Sequence, residues 1–142
     1  AGAVALADKI VVLGGKYHDI VLFDADFYYA SRDSASENPW EKFIDLPEER
    51  YGFCAISISD NIYLFGGLTQ TEYINESFAI QFIEDLWEPL RIEFNNISKV
   101  HPSACVATGS SIFVLIKNAV ESQLELWKFQ ALYYDIYIPI VK

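Results

Sequence analysis

The chain has 142 residues and a formal net charge of −10, with 52% hydrophobic and 15% aromatic residues. So much aromatic and branched apolar material excludes a disordered chain. The acidic balance, with no tight basic cluster, argues against a nucleic-acid partner. No run approaches the roughly 18 consecutive apolar residues of a membrane span, so no membrane role is expected.

Taken in chain order, the elements are short strands. Residues 1–6 are apolar, but they lack a basic leading region and stop at Asp8 and Lys9. They read as a strand, not a signal sequence. Residues 9–13 form a β-branched run that ends at Gly14-Gly15, and residues 20–24 form another. A link over 26–38 is longer than a usual hairpin loop; Phe27, Tyr28 and Tyr29 are its apolar part. A fourth strand starts at Trp40, and Pro47 and Arg50 close the unit.

The same block then recurs. A strand of small and branched residues (54–58) precedes residues 61–65, Gly66-Gly67, a strand over 77–82 and another from Trp87. A third copy runs through 104–107, 111–115, 124–129 and 136–141. Ile10, Ile62 and Ile112 hold equivalent places, spaced 52 and 50 residues apart. In the third copy Ile116-Lys117 replaces the glycine pair, and Trp127 falls one strand early.

Four short strands every fifty residues are the blade of a β-propeller, and a period near 50 is the kelch value. On Gly14-Gly15, Gly66-Gly67, Trp40, Trp87, Pro47, Arg50 and Asp24, the chain resembles kelch-repeat proteins. The expected fold is all-β: one partial kelch-type propeller, with blades at about residues 2–47, 50–95 and 101–142. A β-sandwich also uses short strands, but it does not need the same block three times. Three blades leave open faces, because closed rings usually hold four to eight. A homodimer or further blades are expected to complete the ring. The chain has no methionine, even at position 1, and reads as a processed product or a piece of a longer polypeptide.

Catalytic and ligand-binding patterns are weak. His18 and His101 stand far apart and read as rim residues; no spacing supplies further metal ligands. Cys54 and Cys105 fall at nearly equivalent places in first strands. They read as small buried hydrophobes, because adjacent inner strands rarely bring Cα atoms within about 7 Å. Glu48-Glu49 and Glu84-Asp85 read as solvated. The glycine pairs lack the lysine of a phosphate loop. Asn75-Glu76-Ser77 and Asn96-Ile97-Ser98 match a glycosylation tripeptide that is common by chance. No cofactor and no enzymatic activity are expected, and the expected compartment is the cytoplasm.

Resemblance to kelch proteins implies a protein-interaction scaffold that recruits a protein partner through the rim of second-to-third-strand turns and inter-blade links. That rim holds residues 16–19, 45–50, 68–75, 94–101 and 117–122. Its candidate contact residues are Tyr17, His18, Arg50, Tyr51, Tyr73 and His101, since aromatics and arginine dominate interfaces. The alternative is the propeller of an oxidase or sugar-isomerase enzyme. The tyrosine, cysteine and histidine set of the copper oxidases does not assemble from this sequence.

Overall fold

The computed structural model describes residues 1–32, 38–72, 78–83, 85–91, 100–118 and 122–131. Eleven strands are seen among them, in three antiparallel sheets. The first sheet has the order β1 (Gly2–Ala5), β2 (Ile10–Tyr17), β3 (Ile20–Tyr28), β4 (Trp40–Lys42). The second runs β5 (Cys54–Ile58), β6 (Asn61–Phe65), β7 (Phe78–Ile83), β8 (Leu86–Arg91). The third holds β9 (Val100–Thr108), β10 (Ser111–Asn118) and β11 (Gln123–Gln130). Each is a meander, so the all-β expectation holds and the repeat is structural. The fourth strand expected over 136–141 lies outside the described residues.

The sheets stack through their faces. Val4, Val11, Leu13, Ala25, Phe43 and Leu46 of the first pack on Ile62 and Leu64 of the second. Tyr63, Phe65 and Ile58 pack on Ile112, Val114 and Ile116 of the third. Successive residues of β6 thus point into opposite seams, and Ile62 through Phe65 are all buried. A strand covered on both faces reads as a continuous apolar run, not an alternating one. Ser59 and Asp60, at φ 48° and 64°, make the tight turn that feeds β6.

Both glycine pairs close on one stretch of link. Gly14 lies at φ 46° and interrupts the β2–β3 register as a bulge. A Cβ on Gly14 would sit 2.8 Å from the Arg50 carbonyl oxygen. That same carbonyl accepts the Gly15 N–H at 2.8 Å. On the other side Gly67 lies at φ 113°, and its Cβ would come 3.0 Å from the Tyr51 carbonyl oxygen. Tyr51 and Leu68 then exchange backbone hydrogen bonds of 3.0 and 2.8 Å. Only glycine combines these backbone angles with this approach.

Three expectations need correction. Phe27 and Tyr28 belong to β3, not to a loose link. Phe27 stacks on Phe43 at 4.4 Å, and Tyr28 meets Trp40 at 5.0 Å. The tryptophans also differ from each other. Trp87 reaches into the first seam: its Nε1–H donates to the Ile44 carbonyl at 3.0 Å, and its ring meets Phe43 and Phe82. Trp40 holds the equivalent register, yet it is 47% exposed, because among the described residues no sheet lies over that face of the first sheet.

The third correction concerns the cysteines, which are bonded to each other as a disulfide with Cα atoms 6.0 Å apart. They are 51 residues apart in a repeat of 50, hence one residue out of phase. Successive strand residues point to opposite faces, so the two side chains face each other across the second seam. In the chain-entropy account, closing a loop of this length stabilises the fold by about 4 kcal/mol.

Trp87→Ala is expected to cost about 3 kcal/mol, and Trp40→Ala less than about 1 kcal/mol, measured by urea unfolding. Equal losses would contradict the placement of the two rings.

Candidate functional site

The rim that carries the β2–β3 turn is built on the clamped link. Tyr17 ends β2 and pairs with Ile20, leaving His18 and Asp19 as the turn. His18 takes φ 52°, and its ring meets Tyr17 edge-on at 4.4 Å. Tyr17 is 66% exposed and His18 is exposed. Lys16 places its ammonium 5.2 Å from the Tyr51 ring centroid, a cation–π contact that joins the turn to the link. Tyr17, His18 and Tyr51 therefore form one rim patch with Lys16, a residue that sequence reasoning placed on the rim but did not single out.

Arg50 is in the right place but not at the surface. It is 2% exposed beneath this patch. Its Nη1 donates to the Gly66 carbonyl at 3.3 Å, and Nη2 lies 3.8 Å from Glu48. Among the described residues its Nε finds no acceptor. Burial pushes the guanidinium down to about 10, partly offset by Glu48. Arg50 stays a cation at neutral pH, where its burial costs stability; that cost fades only as pH climbs through about 10. Tyr73 lies outside the described residues. His101 lies in β9 and pairs with Lys117, at the matching end of the third sheet.

The two outermost sheet faces carry features that the sequence did not show as exposed. On the third sheet Leu124, Leu126 and Val106 are exposed beside half-buried Phe113 and Leu115. Phe113 and Leu115 are the repeat equivalents of Tyr63 and Phe65, which fill a seam. On the first sheet Ile10 and Trp40 are the exposed equivalents of Ile62 and Trp87. Lys42 is knotted there, 2.7 Å from Asp24, 3.2 Å from Asp45 and 3.8 Å from Asp26. Its hydrogen bond holds the Asp24 carboxyl below the usual carboxylate range, and Lys42 is raised in turn. This contributes stability above that range and loses it as pH falls through the lowered value. The contribution is small, because all four groups are solvated.

A cleft of about 510 Å³ opens at the opposite rim, between the first two sheets. Phe27, Phe43 and Phe82 line it together with Lys9, Asp60 and Asp85. Among the described residues no three histidine, cysteine or carboxylate side chains gather as metal ligands. Among them no helix is long and apolar enough to cross a membrane.

No family model matches the chain. Curated proteins that it resembles are kelch-like. Kelch-like protein 41b of Danio rerio is 28% identical over 87 residues, which is 61% of this chain and 14% of that protein. Kelch-like protein 41 of Rattus norvegicus is 27% identical over 86 residues, 56% of this chain and 14% of that protein. Kelch-like protein 40 of Xenopus tropicalis is 32% identical over 50 residues, 35% of this chain and 8% of that protein. The chain thus spans 14% or less of these relatives' length.

Arg50→Ala is expected to lower stability by about 2 kcal/mol, whereas Tyr17→Ala stays within about 0.5 kcal/mol, both read from thermal or urea unfolding.

Proposed function

We propose that this chain, which is similar to kelch-like proteins, is a protein-interaction scaffold that recruits a protein partner through the rim of Tyr17, His18 and Tyr51. The observation that carries this reading is the exposure of Tyr17, at the end of β2, and of His18, in the two-residue turn that follows, on a base tied to the clamped link. An aromatic pair held on a rigid frame loses little freedom on binding, and tyrosine is favoured at interface hot spots. Arg50 acts beneath them as a positioning residue. Tyr73 and His101 belong to the same proposal on the strength of the repeat pattern in the sequence. Cytoplasmic placement is part of it too.

The outermost faces of the first and third sheets are proposed as ring-closing surfaces that take further blades. Their support is the repeat itself: Ile10, Phe113 and Leu115, exposed or half-buried there, correspond to Ile62, Tyr63 and Phe65, which are buried in the two seams. Native mass spectrometry tests the source of those blades. A species of twice 16.1 kDa would assign them to a second copy. A monomer that binds apolar dye would assign them to further repeats of a longer polypeptide.

For the rim, a photo-crosslinking residue at position 17 is expected to form protein adducts in cells, and one at Glu88 on β8 is not. Tyr17→Ala combined with Tyr51→Ala is then expected to weaken the captured partner's binding by about tenfold or more. Equal adducts at both positions would count against the rim. Stoichiometric copper in the purified protein would favour an oxidase propeller instead.

A further inference from the structure

We propose that Cys54 and Cys105 form a reversible redox clamp on the seam between the second and third sheets, opened and closed by exchange with a low-molecular-weight thiol such as glutathione. This inference is independent of the partner-recruiting rim.

Three observations support it. First, the bond joins two different sheets. Cys54 pairs with Phe65 on β6 and Cys105 with Val114 on β10; Cys54 opens β5 and Cys105 lies within β9, the inner edge strands of their two sheets. Second, the architecture does not need a covalent link at this level. Between the first and second sheets, the corresponding inner strands β1 and β5 meet without a covalent link, through packing of Val4 and Ala55 in the seam and the Ser57 Oγ–H donating to the Ala5 carbonyl at 2.7 Å. That seam also rests on the Phe43, Phe82 and Trp87 cluster. Third, both cysteines are only half-buried, so a small thiolate can reach the sulfurs. In a reducing compartment a persistent disulfide is rare, and one that does form there is typically transient or redox-sensing.

The exchange balances without a metal. A reagent thiolate attacks one Sγ, and the S–S bond breaks as a mixed disulfide forms. The other cysteine leaves as a thiolate and takes a proton. A second reagent thiolate displaces the first cysteine and forms the oxidised reagent. Two electrons pass from two reagent thiols to the Cys54–Cys105 pair, and the reverse reaction closes the clamp. With the clamp open, the third sheet is held to the second by non-covalent packing, chiefly Ile58, Tyr63 and Phe65 on Ile112, Val114 and Ile116, with Phe129 against Tyr63 and Phe65. Local opening of that seam then becomes easier, while the seam between the first and second sheets is untouched.

The test is a titration of purified protein in glutathione buffers that run from oxidised to reduced, with thiols trapped by a maleimide and counted by mass. Hydrogen exchange is read in the same samples. The expected result is a pair that is bonded in oxidised glutathione and free in excess reduced glutathione, with the protein folded throughout. Amides of Ile112, Val114 and Ile116 should exchange about tenfold faster in the reduced form, and those of Val11 and Leu13 should not change. A Cys54→Ala, Cys105→Ala variant should match the reduced state in every buffer. Should that variant not fold, the titration of the unaltered chain still decides. A pair that stays bonded in excess reduced glutathione would be a permanent staple and would overturn the proposal. So would thiols that remain free in oxidised glutathione, or exchange that ignores the redox state.

Discussion

The chain's architecture depends on a few atoms of link backbone held between two glycine pairs. Where Arg50 and Tyr51 pass from one sheet to the next, Gly15 donates to the Arg50 carbonyl from one side. Leu68, next to Gly67, exchanges hydrogen bonds with Tyr51 from the other. A Cβ at Gly14 or Gly67 would meet those same carbonyls at 2.8 or 3.0 Å. The link is therefore satisfied by backbone partners on both flanks, as buried backbone must be. It sets the offset of the second sheet on the first, and with it the position of the rim above.

From that offset follows the burial of β6. Its four apolar residues divide between two seams and serve both, so the second sheet is the only fully sandwiched one among the described residues. The first and third sheets repeat its chemistry on their outer faces without the cover. Trp40 is more exposed than Trp87, and Leu115 more than Phe65, for the same reason. Exposed apolar area of this kind usually marks an interaction surface. The Lys42 and aspartate knot adds a polar element to the face of the first sheet, which sets a charge requirement on whatever packs there.

Electrostatics and packing assign different work to neighbouring residues of one link. Arg50 is sequestered, under-satisfied by hydrogen bonds and depressed by burial, which suits a residue that braces Gly66 from below. Tyr51, next in sequence, is half-buried and turned toward Lys16. Residue type alone made both look like interface anchors. Their alternate directions along an extended segment separate them.

Strand content, the fifty-residue period and the glycine pairs were legible in the amino-acid order, because backbone freedom at glycine and alternation along a strand are local properties. The rim positions of Tyr17 and His18 were legible for the same reason, since they follow a strand end by one or two residues. What the tertiary structure decided was everything that depends on which face of a strand a residue occupies. A one-residue phase difference turned two apparently equivalent cysteines toward each other. Stacking order packed Trp87 against the first seam and left its twin Trp40 exposed, and the docking of the link hid Arg50. These outcomes rest on contacts between residues 16 to 51 positions apart, and local pattern carries no record of which sheet lies on the other side.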